Sequence, residues 1–193
     1  MLPDEIVTPR FRLRPLRAED ASERYSRWLD GEGARAIEAS RSPHGVPQLR
    51  DYIRARQGRA DVLFLGIFTR EGGAHVGNVK YEPVDDAKGY AVMGILVGEA
   101  EWRGRGVAAE VIEASARWLG AHRNVREIVL GVEKDHAAAI RAYEKLGFRV
   151  EPTDRIPPKD GAIAMVWRPG ATDRKSTRLN SSHMSESRMP SSA

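Results

Sequence analysis

The hydrophobic rhythm of this chain changes at Arg103, and that change constrains the fold more than any other feature. Before it lie three strand-length stretches in close succession. Val62 to Phe68 is a continuous apolar run, and Glu71-Gly72-Gly73 has hairpin-turn composition. His75 to Val84 follows, with Val76, Val79 and Tyr81 as its larger apolar residues. Asp85 to Gly89 reads as a second turn, and Tyr90 to Val97 as a buried strand interrupted by Gly94. This is an antiparallel meander. After Arg103 the period becomes helical over Val107 to about Leu119. Ala108, Val111, Ile112, Ser115, Trp118 and Leu119 form one face; Glu110, Glu113 and Arg117 form the other. Ile128 to Val132 returns to strand. Ala137 to Leu146 is a helix, with Asp135 expected as its cap and Gly147 as its C-terminal glycine. Phe148 to Val150 and Ala162 to Trp167 complete the pattern as a last strand pair. The expected fold class is α/β (α+β) in a single domain, with a mixed, mostly antiparallel central sheet.

Upstream, Phe11 and Leu13 alternate with Arg12 and Arg14, as in a half-exposed strand that ends at Pro15. Asp20-Ala-Ser-Glu23 has capping-box spacing, and Ala21, Tyr25, Trp28 and Leu29 follow it at helical intervals. Gly31 and Gly33 are expected to stop this helix. A second begins near Pro47, with Leu49, Tyr52 and Ile53 as its stripe. The chain has 193 residues and no cysteine, which excludes a disulfide scaffold, a thiolate zinc site and a cysteine nucleophile. The four histidines before residue 173 show no ligand spacing, so no metal is expected. No apolar run has membrane-span length, and the N-terminus lacks a secretion-signal pattern, so a cytoplasmic protein is expected.

The net charge of +4 invites a nucleic-acid reading, but half of it sits in residues 173–193. That segment has seven serines, no aromatic residue and no periodicity. Its string DRKSTRLNSSH resembles the translation of a common short-read sequencing adapter. It is expected to be a non-native, disordered tail, with the native C-terminus missing beyond Thr172 and the domain confined to residues 1–172. The remaining +2 leaves that body near neutral, so no nucleic acid is expected as a partner.

Arg103-Gly104-Arg105-Gly106-Val107-Ala108 joins a strand to a helix. Glycines there let successive N–H groups face one cradle, and the helix start adds positive potential that suits a phosphate. No Gly-Lys-Ser/Thr follows, and the third glycine of a dinucleotide fingerprint is absent. By itself the loop reads equally as a glycine turn that starts a helix. Downstream stands Tyr143-Glu-Lys-Leu-Gly-Phe148. Together the two segments resemble the GCN5-related N-acetyltransferases (GNAT). That family carries an Arg/Gln-x-x-Gly-x-Gly/Ala loop, matched by Arg103, Gly106 and Ala108, and a Tyr-Glu-Lys-x-Gly-Phe helix end. The opening TPRFRLRPL and His75-Val-Gly-Asn78 resemble the branch that includes ribosomal-protein N-terminal acetyltransferases.

The resemblance implies a GNAT fold with about four flanking helices, and direct attack of a neutral amine on acetyl-CoA. It assigns the pyrophosphate to Arg103, Gly104, Arg105, Gly106, Val107 and Ala108, with Arg103 and Arg105 adding charge. It sets Ile95, Leu96 and Val97 beside the pantetheine arm, with one backbone N–H near the thioester carbonyl; Gly94 would suit a bulge there, or equally a packing role. Tyr143 is the implied acid for the leaving thiolate; without the motif it would read as a core tyrosine. His136 stands where many relatives place a cofactor-contacting asparagine, and reads equally as a helix-start histidine. The glutamate that some relatives carry 12 residues before the tyrosine is Gly131 here. Glu82, Glu99, Glu133 or a water chain remain as bases. Trp28, Arg35, Glu38 and His44 are candidates for the acceptor site. The expected partner is an amine on a protein N-terminus, an amino sugar or a small molecule, and the expected assembly a monomer or homodimer. The competing reading is an acyl-CoA sensor that does no chemistry.

Overall fold

The structure is a computed structural model, and residues 1–31 and 45–170 are described. Eight strands form one sheet in the order β1-β2-β3-β4-β5-β6-β8-β7. They are β1 (Ile6–Val7), β2 (Phe11–Pro15), β3 (Leu63–Thr69), β4 (His75–Asp85), β5 (Tyr90–Val97), β6 (Glu127–Glu133), β7 (Arg149–Val150) and β8 (Ala162–Trp167). Four α-helices stand among the described residues: α1 (Glu23–Leu29), α2 (Val46–Arg54), α3 (Val107–His122) and α4 (Ala137–Leu146). Short 3-10 turns at Ala18–Asp20 and Ala100–Trp102 link them. This is the mixed, mostly antiparallel sheet with flanking helices that the sequence predicts.

Each face of the sheet carries its own core. On one side, Tyr81, Met93, Leu130 and Met165 meet Val111, Ile112, Ala116 and Leu119 of α3. On the other, Leu16, Tyr25, Trp28, Leu49, Ile53 and Leu96 tie α1 and α2 to the sheet. Strand alternation produces the division: Met93, Ile95 and Val97 turn toward the α3 side, and Leu96 toward the α1 side.

All strand pairs are antiparallel except β5 with β6, which α3 connects as a crossover. That pair holds only from Tyr90↔Glu127 to Val92↔Val129. Beyond it, β5 continues against β4 as far as Val97, and β6 continues against β8 as far as Glu133. Residues 93–97 and 130–133 therefore diverge as the arms of a V.

Several local expectations need correction. The cap of α1 is Ser22, whose side chain accepts from the Tyr25 N–H, and not Asp20. The Asp20 carboxylate is already engaged by the Arg14 guanidinium and the Arg17 N–H. The cap of α4 is His136 in place of Asp135: its Nδ1 accepts from the Ala139 N–H at 3.4 Å. The register shift in the β4–β5 ladder lies between Tyr81 and Val84, not at Gly94, which pairs regularly with Lys80. Pro83 stands in that interval and has no N–H for the ladder. Strand β1 has only two residues and escapes any periodicity test. The expectations for Arg35, Glu38, His44 and the segment 173–193 lie outside the described residues.

Candidate active site

The open V is the first part of the site. Pleat alternation decides what its β5 arm presents. The Leu96 carbonyl lies against Gly77 of β4, and the Gly98 N–H donates to Val76 O on the same side. The backbone groups of Ile95 and the N–H of Val97 therefore turn away from β4, into the gap. Of the three residues expected there, Leu96 is the exception. Its side chain is buried with α1, and its carbonyl faces β4.

The V opens into a cavity of about 520 Å³. Ile95, Leu130 and Val132 line it with Tyr143 of α4, and Ile156 and Pro157 of the β7–β8 connection close one side. Tyr143 is half-buried against Phe148, at a ring separation of 5.7 Å. Burial raises the pKa of its hydroxyl, so it carries its proton through the neutral range. Its position follows from α4, whose half-buried residues Ala139, Ile140, Tyr143 and Leu146 pack on the α3-side core.

Of the three glutamates considered as bases, only Glu133 lines this cavity. Lys159 reaches its Oε1 at 2.7 Å. Glu82 is held by Arg56 at 2.8 Å and by Arg59 and Lys80 at 3.0 Å. Burial alone would raise its pKa, but Lys80 and Arg56 outweigh it and hold the carboxylate below its ordinary value. Glu99 accepts from Trp28 Nε1 at 3.1 Å and pairs with Arg24. At the position of the absent glutamate, Gly131, Ile156 Cδ1 stands 3.6 Å from where a Cβ would be.

The glycine loop is the second part of the site. Gly104 and Gly106 take φ of 70° and 73°, a region that side chains disfavour. A Cβ at Gly104 would meet open space, and at Gly106 only Arg10 Nη2 at 3.9 Å. Gly106 is the N-cap of α3. The N–H groups from Gly104 to Ala109 donate to no described protein atom. Unpaired donors at the positive end of a 16-residue helix fit an anionic group. The two loop arginines differ. Arg103 donates from Nε and Nη2 to the Val97 and Gly98 carbonyls, both at 3.0 Å, so its guanidinium fastens the loop to the end of β5. Arg105 is exposed.

The structure thus brings Ile95 and Tyr143 to one cavity and leaves Val97 on the same strand edge. The loop follows β5 through the 3-10 turn. His136 is exposed at the start of α4, and Leu96 lies in the opposite layer. Trp28, one of the acceptor-site candidates, covers Gly98, where a Cβ would overlap its indole. Sequence reasoning missed one group. Thr8, Arg10 and Glu110 form a hydrogen-bonded group beside the loop. Their pairing across about 100 residues leaves no periodic signal. Among the described residues no cluster of metal-ligating side chains is present, and no helix is long and apolar enough to cross a membrane.

Comparison with known proteins gives consistent results. Residues 10–149 match the family described as acetyltransferase (GNAT) domain. The chain is 41% identical over 61 residues to N-alpha-acetyltransferase 30 of Schizosaccharomyces pombe, covering 32% of this chain and 39% of that protein. It spans less than half the length of each curated relative it matches. Among solved structures, a ribosomal alpha-N-protein acetyltransferase in complex with coenzyme A superposes with a TM-score of 0.71 at 12% identity, covering 85% of this chain and 97% of that one. A putative ribosomal-protein-serine acetyltransferase from Vibrio cholerae gives 0.69 at 19% identity, covering 88% of this chain and all of that one.

Proposed function

The chain belongs to the GNAT acetyltransferase domain family, and from that membership we propose that it transfers an acetyl group from acetyl-CoA to a primary amine. The observation that carries the proposal is the pairing of the two arms of the V with a cradle of unpaired N–H groups. Acetyl-CoA supplies an activated acetyl group on a thioester.

The residues of the chain supply the rest. The N–H groups of the loop from Gly104 to Ala108 bind the pyrophosphate, and Arg105 adds charge at the surface. The open edge of β5 at Ile95 and Val97 binds the pantetheine amides as a neighbouring strand would. The Ile95 N–H is aimed into the V, where negative charge on the thioester oxygen would be stabilised. Tyr143 holds the proton required by the departing thiolate. Glu133 takes the proton from the incoming ammonium, directly or through water, because it is the one candidate carboxylate in the cavity. His136 has its Nδ1 in the cap, which leaves Nε2 for a cofactor contact.

The names of the matched relatives divide among acceptors: N-alpha-acetyltransferase 30 speaks for a protein N-terminus, while others are mycothiol and spermidine acetyltransferases. The acceptor proposed is therefore a primary amine on a protein N-terminus, an amino sugar or a small molecule. The near-neutral body argues against nucleic acid. The sensor reading draws its support from Gly131, which leaves the expected base position empty of a carboxylate. Thiol release from acetyl-CoA, measured over a panel of N-terminal peptides, amino sugars and small amines, tests both readings. Amine-dependent release is expected. Tight acetyl-CoA binding with no turnover on any amine would establish the sensor instead.

A further inference from the structure

The glycine loop needs something to aim it. With two residues at positive φ and no side chain packed on Gly104, its peptide planes are not fixed by local sequence. Arg103 secures one end, at the Val97 and Gly98 carbonyls. The other end is secured from a distant part of the chain. Arg10, in the turn between β1 and β2, donates from Nη1 to the Arg105 carbonyl at 2.9 Å.

Arg10 is itself held by Glu110 in the first turn of α3. Its Nε donates to Glu110 Oε2 at 2.6 Å, and its backbone N–H to Oε1 at 2.8 Å. Thr8 Oγ1 donates to the same Oε1 at 2.7 Å. The Thr8 N–H is closed onto Phe11 O at 2.9 Å, which fixes the turn. Glu110 is mostly buried, with 15% of its side chain exposed. Burial alone would raise its pKa, but the bonds from Thr8 and Arg10 hold the carboxylate below its ordinary value, so it stays charged.

The consequence is geometric. In a trans peptide the carbonyl and the following N–H point in opposite directions. Drawing the Arg105 carbonyl toward Arg10 turns the Gly106 N–H to the far side of the loop, away from the β1–β2 turn. We propose that Arg10 is a positioning residue for the donor substrate, one that orients the Gly106 N–H for an anionic phosphate through the chain Thr8–Glu110–Arg10–Arg105 carbonyl. This rests on the acetyl-CoA reading of the loop. It also gives the opening Thr8-Pro9-Arg10 a role in the site, where strand periodicity offers none. Because the Arg10 charge is balanced by Glu110, the contribution is orientation more than net charge.

The test compares the full chain with Arg10→Ala, Arg10→Lys and Glu110→Gln. Calorimetry with coenzyme A alone gives Kd; steady-state rates give KM and kcat; thermal melting without ligand controls for folding. Losing one charge-assisted hydrogen bond should weaken coenzyme A binding about tenfold in Arg10→Ala. The acetyl-CoA KM should rise in step, with the saturated kcat and the amine KM near parental. Lysine cannot reach Glu110 and the carbonyl together, so Arg10→Lys should fall between the two. Glu110→Gln turns a donor toward a donor and should reproduce the binding loss even if Arg10→Ala does not fold. A folded Arg10→Ala or Glu110→Gln with a lower Tm but parental Kd overturns the positioning role. A parent chain that binds no coenzyme A overturns the acetyl-CoA reading first, and the two failures are distinct.

Discussion

Tyr143 shows how much one residue's surroundings add to its type. A tyrosine hydroxyl ordinarily titrates near 10. Burial beside Phe148 moves this one higher. A general acid must carry its proton, so Tyr143 imposes no falling limb on the rate below about pH 10. A rising limb at lower pH is expected from deprotonation of the incoming ammonium. Tyr143→Phe removes the proposed acid and leaves the ring, so kcat should drop by about 10²–10⁴ with acetyl-CoA binding kept. The pH profile of kcat checks this together with the variant: a falling limb centred well below pH 10, or a variant as fast as the parent, would move the acid role elsewhere. Gly98 makes a different residue-scale point. Its Cβ would overlap the Trp28 indole, whose Nε1 is held by Glu99. Gly98→Ala should cost about 1–3 kcal/mol by overpacking, enough to lower Tm by several degrees in a chain this long. A melting curve unchanged within a degree would mean that α1 shifts freely on the sheet, contrary to its buried contacts.

At the scale of elements, the glycine loop and α3 act together. Gly106 caps α3 in a left-handed conformation that costs an L-residue about 1–2 kcal/mol. Gly106→Ala should therefore distort the loop and weaken coenzyme A binding, and Gly106→Glu should weaken it further by placing a negative charge against phosphate. Titration calorimetry on the folded variants decides this, and parental affinity in both would remove the cradle from the binding site. Elements of this kind were the legible part of the sequence. Strand β5, helix α4 and strand β8 carry the boundaries that periodicity and glycine punctuation predict, because each depends on its own residues. The misses all involve partners in another element, some only five or six residues away and others about a hundred. Asp20 has the spacing of a cap, but Arg14 claims it. Glu110 lies on the polar side of its helical wheel, yet Thr8 and Arg10 draw it under a turn. Arg103 reads as a phosphate ligand, and its Nε and Nη2 also bind the Val97 and Gly98 carbonyls, which the local pattern does not announce. The V itself needs pairing information that no local pattern contains.

At the scale of the whole molecule, the sheet must stay split at one place and be firmly covered everywhere else, and the α1 side of that covering should depend on pH through His75. Its ring stacks on Phe68 at 4.7 Å and meets Trp28 and Tyr25 edge-on at 5.0 and 5.4 Å, joining α1 to β3 and β4. Its Nε2 lies 2.8 Å from Asn78 Oδ1 and 3.0 Å from Gly77 O, two acceptors that place the proton of the neutral ring on that nitrogen. Burial lowers the pKa of His75; Asn78, Asp20 and the Gly77 carbonyl offset this in part, while Arg14 adds to it. A depressed folded value means that the unfolded chain binds the proton more readily. The stabilisation from the neutral ring is therefore complete above the unfolded value near 6.5, and is lost as pH falls from there through the folded value. The carboxylates of Asp20, Glu82 and Glu110 add a constant stabilisation and no slope in this window, since each is held below its ordinary value. Their contribution is lost only at more acid pH, below about 4. The denaturant midpoint of the parent should fall between pH 7.5 and 5.5. His75→Gln, lower throughout because the aromatic contacts are gone, should show little of that slope. A parent midpoint that is flat over this interval, or a variant with the same slope, would show that the α1 layer stays docked whether or not His75 is charged.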